Sequence, residues 1–202
     1  MNKVSFVHGG SGMNDPAHKL KYTFAEYVAY DEASETKHEY VDGEIHAMAG
    51  STARHSLLTT GMSSALSQAL RDRGCRVFSP DMRIRVQETG LATYPDVSVV
   101  CGKLEFDPES STTLTNPLLI AEVLSPSTEK YDRRQKFNHY RLIPTLREYL
   151  LVSQDERHIT HYTRNEDDTW TLRDVRLSQP LALRTLGVTL SLDDIYRGVF
   201  DD

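Results

Sequence analysis

At 202 residues the chain is long enough for one well-packed domain and short for two. Its 26% charged and 39% hydrophobic residues are those of an ordinary globular protein, and no run approaches the 18 apolar residues of a membrane span. A net charge of −6 argues against indiscriminate nucleic-acid binding, which depends on Lys and Arg neutralising phosphates. The first residues lack the basic and apolar regions of a secretory signal, and Cys75 and Cys101 stand alone without a CxxC pair. The expectation is a cytoplasmic protein, without membrane attachment, in which both cysteines are reduced core thiols.

Residues 1–20 carry little pattern, and Gly9-Gly10-Ser11-Gly12 is linker-like, so a flexible tail is expected before a single domain over 21–202. Thr23 is a plausible cap for a helix with Phe24, Tyr27, Val28 and Asp31 at helical spacing, fading near Ser34. Lys37 to Ala49 reads as two short strands joined at Asp42-Gly43. Gly50-Ser51-Thr52 then turns into a helix running to Arg73, with Leu57, Leu58, Met62, Ala65, Leu66, Ala69 and Leu70 on one face and Gly74 ending it.

Strand patterns follow at Arg76–Gln87, broken at Pro80, at Tyr94–Cys101 and, after a polar loop, at Leu118–Leu124. Thr128 caps a helix to about Arg141, stopped before Pro144. Further strands are predicted at Leu146–Val152, His158–Arg164 and Thr169–Val175, then a short strand and a helical turn at Leu192–Tyr196. This order predicts an α/β (α+β) fold, a mixed central β-sheet flanked by helices.

Two acids interrupt the most apolar strands. Glu122 stands inside Leu118-Leu119-Ile120-Ala121-Glu122-Val123-Leu124, and Asp96 opens Asp96-Val97-Ser98-Val99-Val100 after Pro95. A buried ionised acid costs several kcal/mol unless a cation or hydrogen bonds compensate. If the two strands are neighbours, carboxylates about 4 Å apart repel by roughly 4 kcal/mol at an effective dielectric near 20. A divalent cation reverses that sign, and oxygen ligands favour Mg²⁺ or Mn²⁺, with the Val123 carbonyl as a further donor. A salt bridge from a buried Arg to Glu122 is the structural alternative. The expected Lys two positions after Glu122 is Leu124, and the nearest candidate is Lys136 on the following helix. There residues 132, 136, 139, 140 and 143 share a stripe that places Tyr140 beside Lys136.

Basic residues form two blocks, Arg71, Arg73, Arg76, Arg83 and Arg85, and then Lys130, Arg133, Arg134 and Lys136. Acids intersperse both, so a solvated face and a DNA track remain open readings. His55, Arg133 and Tyr140 are candidate substrate contacts, while Asp81 after Pro80 reads as structural or functional.

The chain resembles the Uma-two restriction-endonuclease family, a branch of the PD-(D/E)xK nuclease superfamily. The resemblance rests on Glu39-Tyr40-Val41-Asp42-Gly43-Glu44-Ile45, Met48-Ala49 with His55, Ser79-Pro80-Asp81, Tyr94-Pro95-Asp96-Val97-Ser98-Val99-Val100, Glu122-Val123-Leu124-Ser125-Pro126-Ser127-Thr128, and Lys136 with Tyr140. It implies a restriction-endonuclease-like fold with the lysine moved from the strand to the next helix. It also implies Asp96 and Glu122 as metal ligands, Lys136 as the water-orienting base and Glu39 as an accessory acid. The expected function is a metal-dependent endonuclease acting on DNA, with homodimers a further expectation. The alternatives are a non-cleaving nucleic-acid-binding or regulatory module on the same fold, an interaction protein, and a hydrolase of small phosphoesters.

Overall fold

The computed structural model describes residues 21–48 and 50–200. The expected tail over residues 1–20, and Ala49 at the end of the predicted hairpin, lie outside the described residues. Helix α1 (Phe24–Glu32) begins where Thr23 and Glu26 form a capping box, each side chain bonding the other's backbone N–H. Strands β1 (His38–Val41) and β2 (Glu44–Ala47) form the predicted antiparallel hairpin. Its turn takes positive φ at both Asp42 (51°) and Gly43 (89°), the conformation a two-residue hairpin loop requires.

Helix α2 (Ala53–Ala69) is capped by Thr52, whose hydroxyl accepts from the His55 N–H and donates to Gln154. Leu58, Met62, Leu66 and Leu70 form its buried face, whereas Leu57 is exposed. The helix stops at Ala69 instead of running to Arg73, and Gly74 adopts a positive φ of 66° past the end. The predicted strand 76–87 is two strands in different sheets, β3 (Cys75–Phe78) and β4 (Arg83–Arg85), because the chain leaves the first sheet at Pro80.

Strands β5 (Ala92–Thr93), β6 (Val97–Cys101), β7 (Phe106–Asp107), β8 (Ser110–Leu114) and β9 (Leu119–Val123) follow. The supposed polar loop before β9 therefore contains the β7–β8 hairpin. Residues 129–140 form one continuous helical stretch: α3 (Glu129–Tyr131), a π-helical turn (Asp132–Lys136) and α4 (Phe137–Tyr140). Then come β10 (Glu148–Val152), β11 (His158–Arg164), β12 (Trp170–Arg176), β13 (Leu181–Leu183), β14 (Val188–Leu190) and α5 (Leu192–Ile195).

The central sheet has the order β12-β11-β10-β9-β6-β3, with β9 and β10 parallel and the other pairs antiparallel. A second sheet runs β2-β1-β5-β4-β8-β7. Alternation along β9 explains how one strand serves two layers. Ala121 and Val123 pack with α2, α5 and the β13–β14 pair, while Ile120 and Leu124 pack with Tyr140, Ile143 and the second sheet. Covered on both faces, the strand reads as an almost unbroken apolar run. Glu122 takes the parity of Ile120 and Leu124, so it projects toward helix 129–140.

One further expectation is corrected, and one open reading is narrowed. Cys75 and Cys101 are partners in the β3–β6 register, and their sulfurs are joined in a disulfide, so neither is a reduced thiol. The spacing of 26 residues concealed a pairing that only the sheet brings about. The first basic block is not a continuous phosphate track either. Arg83 is buried against Asp31 and Glu32, and Arg85 bonds Asp107 and Glu109, because both lie on an interior strand of the second sheet. No helix among the described residues is long and apolar enough to cross a membrane.

Candidate active site

The antiparallel pairing of β6 with β9 sets Val97 opposite Ala121, which places Asp96 beside Glu122 at the strand ends. The two acids are also stitched through the backbone. Asp96 N–H donates to Glu122 Oε2 (3.3 Å), and Val123 N–H donates to Asp96 Oδ2 (2.7 Å). Their side chains face a cavity of about 610 Å³ in the seam between the sheets, which Glu39, His55, Tyr131, Asp132 and Lys136 also line.

Lys136 reaches this cavity from the π-helical turn. Its ammonium lies 3.1 Å from Glu122 Oε1 and 3.3 Å from Asp132 Oδ1, and only 6% of the residue is exposed. Burial opposes the charge on Lys136, but Glu122, Asp132 and Glu39 more than offset it and hold its pKa above the usual lysine value. Burial pushes the Glu122 carboxyl up to about 8, against the pull of Lys136 and with Asp96 and Asp132 adding to the rise. The ammonium is thus the secure charge of the pair, and the Glu122 carboxylate is the one that needs further cationic support. Where the structural alternative placed a buried Arg against Glu122, this lysine stands instead.

Tyr140 donates to Glu122 Oε1 at 2.8 Å and is fully buried. It stands behind the carboxylate, outside the cavity lining, and braces Glu122 where a substrate contact was expected. Arg133, another candidate substrate contact, bonds Glu129 and Thr160 and does not line the cavity, because it leaves the helix on another face. His55, from the first turn of α2, does join the site, with Nε2 at 3.2 Å from Asp96 Oδ2. Burial disfavours its cationic form, but Asp96 outweighs this and raises its pKa. Glu39, on β1, accepts from Thr93 Oγ1 at 2.8 Å. Burial, with Glu39 facing it, pushes the Tyr131 phenol up. Asp81 pairs with Lys37 at the surface and takes no part in the cavity lining.

Asp132 and Tyr131 are cavity residues that the motifs passed over. The only advance signal was the 132, 136, 140 stripe, and all three of these side chains line the sheet-facing side of the helix.

The donor set can be tested against a hard divalent cation. Among the described residues no cluster of three or more His, Cys, Asp or Glu side chains forms a ready-made metal cage. What the cavity offers is two adjoining carboxylates. Asp96 uses Oδ2 for Val123 and His55, leaving Oδ1 without a protein donor among the described residues, and Glu122 Oε2 takes one long bond. Two carboxylates, a nearby backbone carbonyl and room for water fit Mg²⁺, which keeps much of its hydration shell. The residues therefore suit the group, with Asp96, Glu122 and the Val123 carbonyl as the candidate ligands.

A mixed sheet flanked by helices, with paired acids at the ends of two central strands, defines a nuclease-like α+β protein, and the comparisons with known proteins specify it. A family model, Uma2, described as "putative restriction endonuclease", matches residues 24–193. The chain belongs to the Uma2 family. It is 39% identical over 174 residues to "Uncharacterized protein slr1290" of Synechocystis sp. (strain ATCC 27184 / PCC 6803 / Kazusa), spanning 86% of this chain and 90% of that protein. It is 40% identical over 153 residues to "Uncharacterized protein sll1609" of the same strain, spanning 76% and 86%. The crystal structure of a "putative nuclease belonging to DUF820" from Anabaena variabilis ATCC 29413 shares the fold with a TM-score of 0.65. That match covers 81% of this chain and 91% of the other at 19% identity.

Proposed function

We propose that this chain is a Mg²⁺- or Mn²⁺-dependent endonuclease that hydrolyses phosphodiester bonds of DNA. One observation carries the reading: Asp96 and Glu122 adjoin across β6 and β9, and the Lys136 ammonium sits against Glu122 in the same cavity. A structural ion pair needs one acid and one base and no opening. Here four acids (Glu39, Asp96, Glu122 and Asp132) line one cavity, and two of them, Glu122 and Asp132, hold the Lys136 ammonium beside accessible space.

Asp96 and Glu122 would hold the cation, which supplies Lewis-acid charge at the scissile phosphate and activates water. Lys136, kept protonated by its acid neighbours, orients the attacking water and meets the negative charge that develops on the phosphate. That raised pKa favours the orienting half of the role over proton abstraction. Tyr140 fixes the Glu122 rotamer from behind, and His55 fixes Asp96 from the side. Because the cavity is acidic, a polyanion is drawn in only when the cation offsets these charges, so DNA affinity should fall steeply with chelation and salt.

The test is cleavage of supercoiled plasmid and single-stranded DNA in Mg²⁺, Mn²⁺ or EDTA by wild type, Asp96→Ala and Glu122→Ala. The reading expects metal-dependent nicking by wild type, a loss of at least about 100-fold in each variant, and none in EDTA. Nicking that survives both substitutions, or none by wild type with either metal, would sink it.

A further inference from the structure

Asp132 enters the reading above only as one of the acids around Lys136, yet it is one of the least comfortable groups among the described residues. The residue is 2% exposed and lines the cavity, and its Oδ1 is a buried oxygen without a hydrogen-bond partner among the described residues. What faces that oxygen is the Lys136 ammonium, at 3.3 Å. The backbone around it is fixed. The Asp132 carbonyl accepts from Tyr149 Oη (3.0 Å), and Asp132 opens the π-helical turn that ends at Lys136. Such turns are rare insertions in a helix and concentrate at functional positions.

Lys136 is therefore held between two acids that differ in their other duties. Glu122 is the acid that the proposed cation would claim, while Asp132 stands four residues from Lys136 on the same helical turn. Once Glu122 is shared with a dication, its hold on the ammonium weakens and the dication repels the lysine. A second anion is then needed to keep the lysine in place. Among the described residues Lys136 is the ion-pair partner of Asp132, and the burial of Asp132 makes any other use costly.

We infer that Asp132 is a positioning residue that anchors Lys136 in the cation-loaded site, taking over from Glu122 when that carboxylate turns to the metal. This inference rests on the metal-dependent reading proposed above. It makes the lysine's place independent of the metal ligand, so that one acid does not have to satisfy two cations at once.

The experiment uses the full chain as wild type, Asp132→Asn and, in case the amide perturbs the turn, Asp132→Ser. Circular dichroism confirms that each is folded. Calorimetric titration with Mn²⁺ comes first: both variants should bind within about twofold of wild type, because Asp132 is not a ligand. A tenfold or greater loss would make it one and overturn the inference.

The second readout is the ¹⁵N–¹H signal of the Lys136 ammonium, assigned by its absence in Lys136→Arg. In wild type the signal should persist on adding Mg²⁺. In both variants it should be present without metal, when Glu122 still holds the lysine, and be lost or exchange-broadened on adding Mg²⁺. A signal that survives Mg²⁺ equally in wild type and variants would refute the anchoring role while leaving the nuclease reading intact. Failure of wild type to bind Mn²⁺ would instead overturn the metal reading and this inference with it. If wild type cleaves DNA, the variants should lose at least tenfold in kcat with KM unchanged, whereas a change confined to KM would count against a role in placing the lysine.

Discussion

Two buried acids, Asp31 and Glu122, each face a buried cation, and the contrast between them separates scaffold from site. Asp31 accepts from His38 N–H (2.8 Å), His38 Nδ1 (3.3 Å), Arg83 (3.0 Å) and Tyr94 Oη (2.5 Å). Arg83 in turn spends its other donors on Thr113, Thr112 and Glu32. Each charge in that cluster is met, and neither Asp31 nor Arg83 borders the cavity. Around Glu122 the balance is reversed: acids outnumber the lysine, an Asp132 oxygen has no hydrogen bond, and space adjoins them. A satisfied network fixes a fold, whereas a surplus of one charge beside a cavity is the arrangement that binds something.

The two cations give the largest test of this contrast. Arg83→Met leaves Asp31 buried without its charge partner and should destabilise the protein by about 3–5 kcal/mol in chemical denaturation. Lys136→Met should cost less, about 1–2 kcal/mol, because the Glu122 carboxyl, pushed up to about 8, and the Asp132 carboxyl, also raised by burial, are both disposed to hold a proton. Equal costs would mean that the cavity cluster is scaffold as well.

A smaller effect lies in the pH dependence. The folded-state pKa of Glu122 is raised to about 8 from 4.5, so between those values the folded chain holds a proton that the unfolded chain has released. Stability from this group is complete below the lower value and is lost as pH rises through the upper one. His55, also raised, contributes with the same sign. The Tm of metal-free protein should therefore fall between about pH 5 and 8, by roughly 2–4 °C for each kcal/mol lost in a domain of this size. Mg²⁺ should restore more of it at pH 8 than at pH 5.5, and a Tm that rises across this window without metal would break the argument. The smallest effect is expected at the exposed Lys37–Asp81 pair, where Lys37→Met should change stability by about 0.2–1 kcal/mol.

Much of the frame was legible where a local rule speaks for itself. The Thr23 cap, the Asp42-Gly43 turn and the apolar run of β9 depend on a few neighbouring residues, and each stands where the sequence put it. The order Asp96, Glu122, Lys136 was legible too, since acids in apolar strands are conspicuous. The second sheet was not. Its strands β5, β7 and β8 are two to five residues long, and β8 is Ser-Ser-Thr-Thr-Leu, which reads as a loop until Thr113 is seen bonding Arg83. Arg83 itself looked like surface charge because its four partners come from residues 31, 32, 112 and 113. The Cys75–Cys101 pairing was hidden for the same reason, being a product of sheet register. Asp132 shared the stripe of Lys136 and Tyr140, but no motif gave it a role, and the π-turn that sets it against Lys136 is not announced by periodicity.

The route from Glu122 to Lys136 has a consequence for how such chains are inherited and found. Both residues lie on one uninterrupted strand–turn–helix unit, fourteen positions apart, and the position two after the glutamate holds Leu124. A search pattern that demands a lysine two residues past the acid passes over this chain, whereas one tolerant of a helix-borne lysine retains it. Glutamate and lysine also travel together in any recombination event that moves this unit, leaving Asp96 and Glu39 to be supplied by the recipient fold. Drift in the turn between them, over residues 124–128, is then the change that would most readily uncouple the pair without disturbing either sheet.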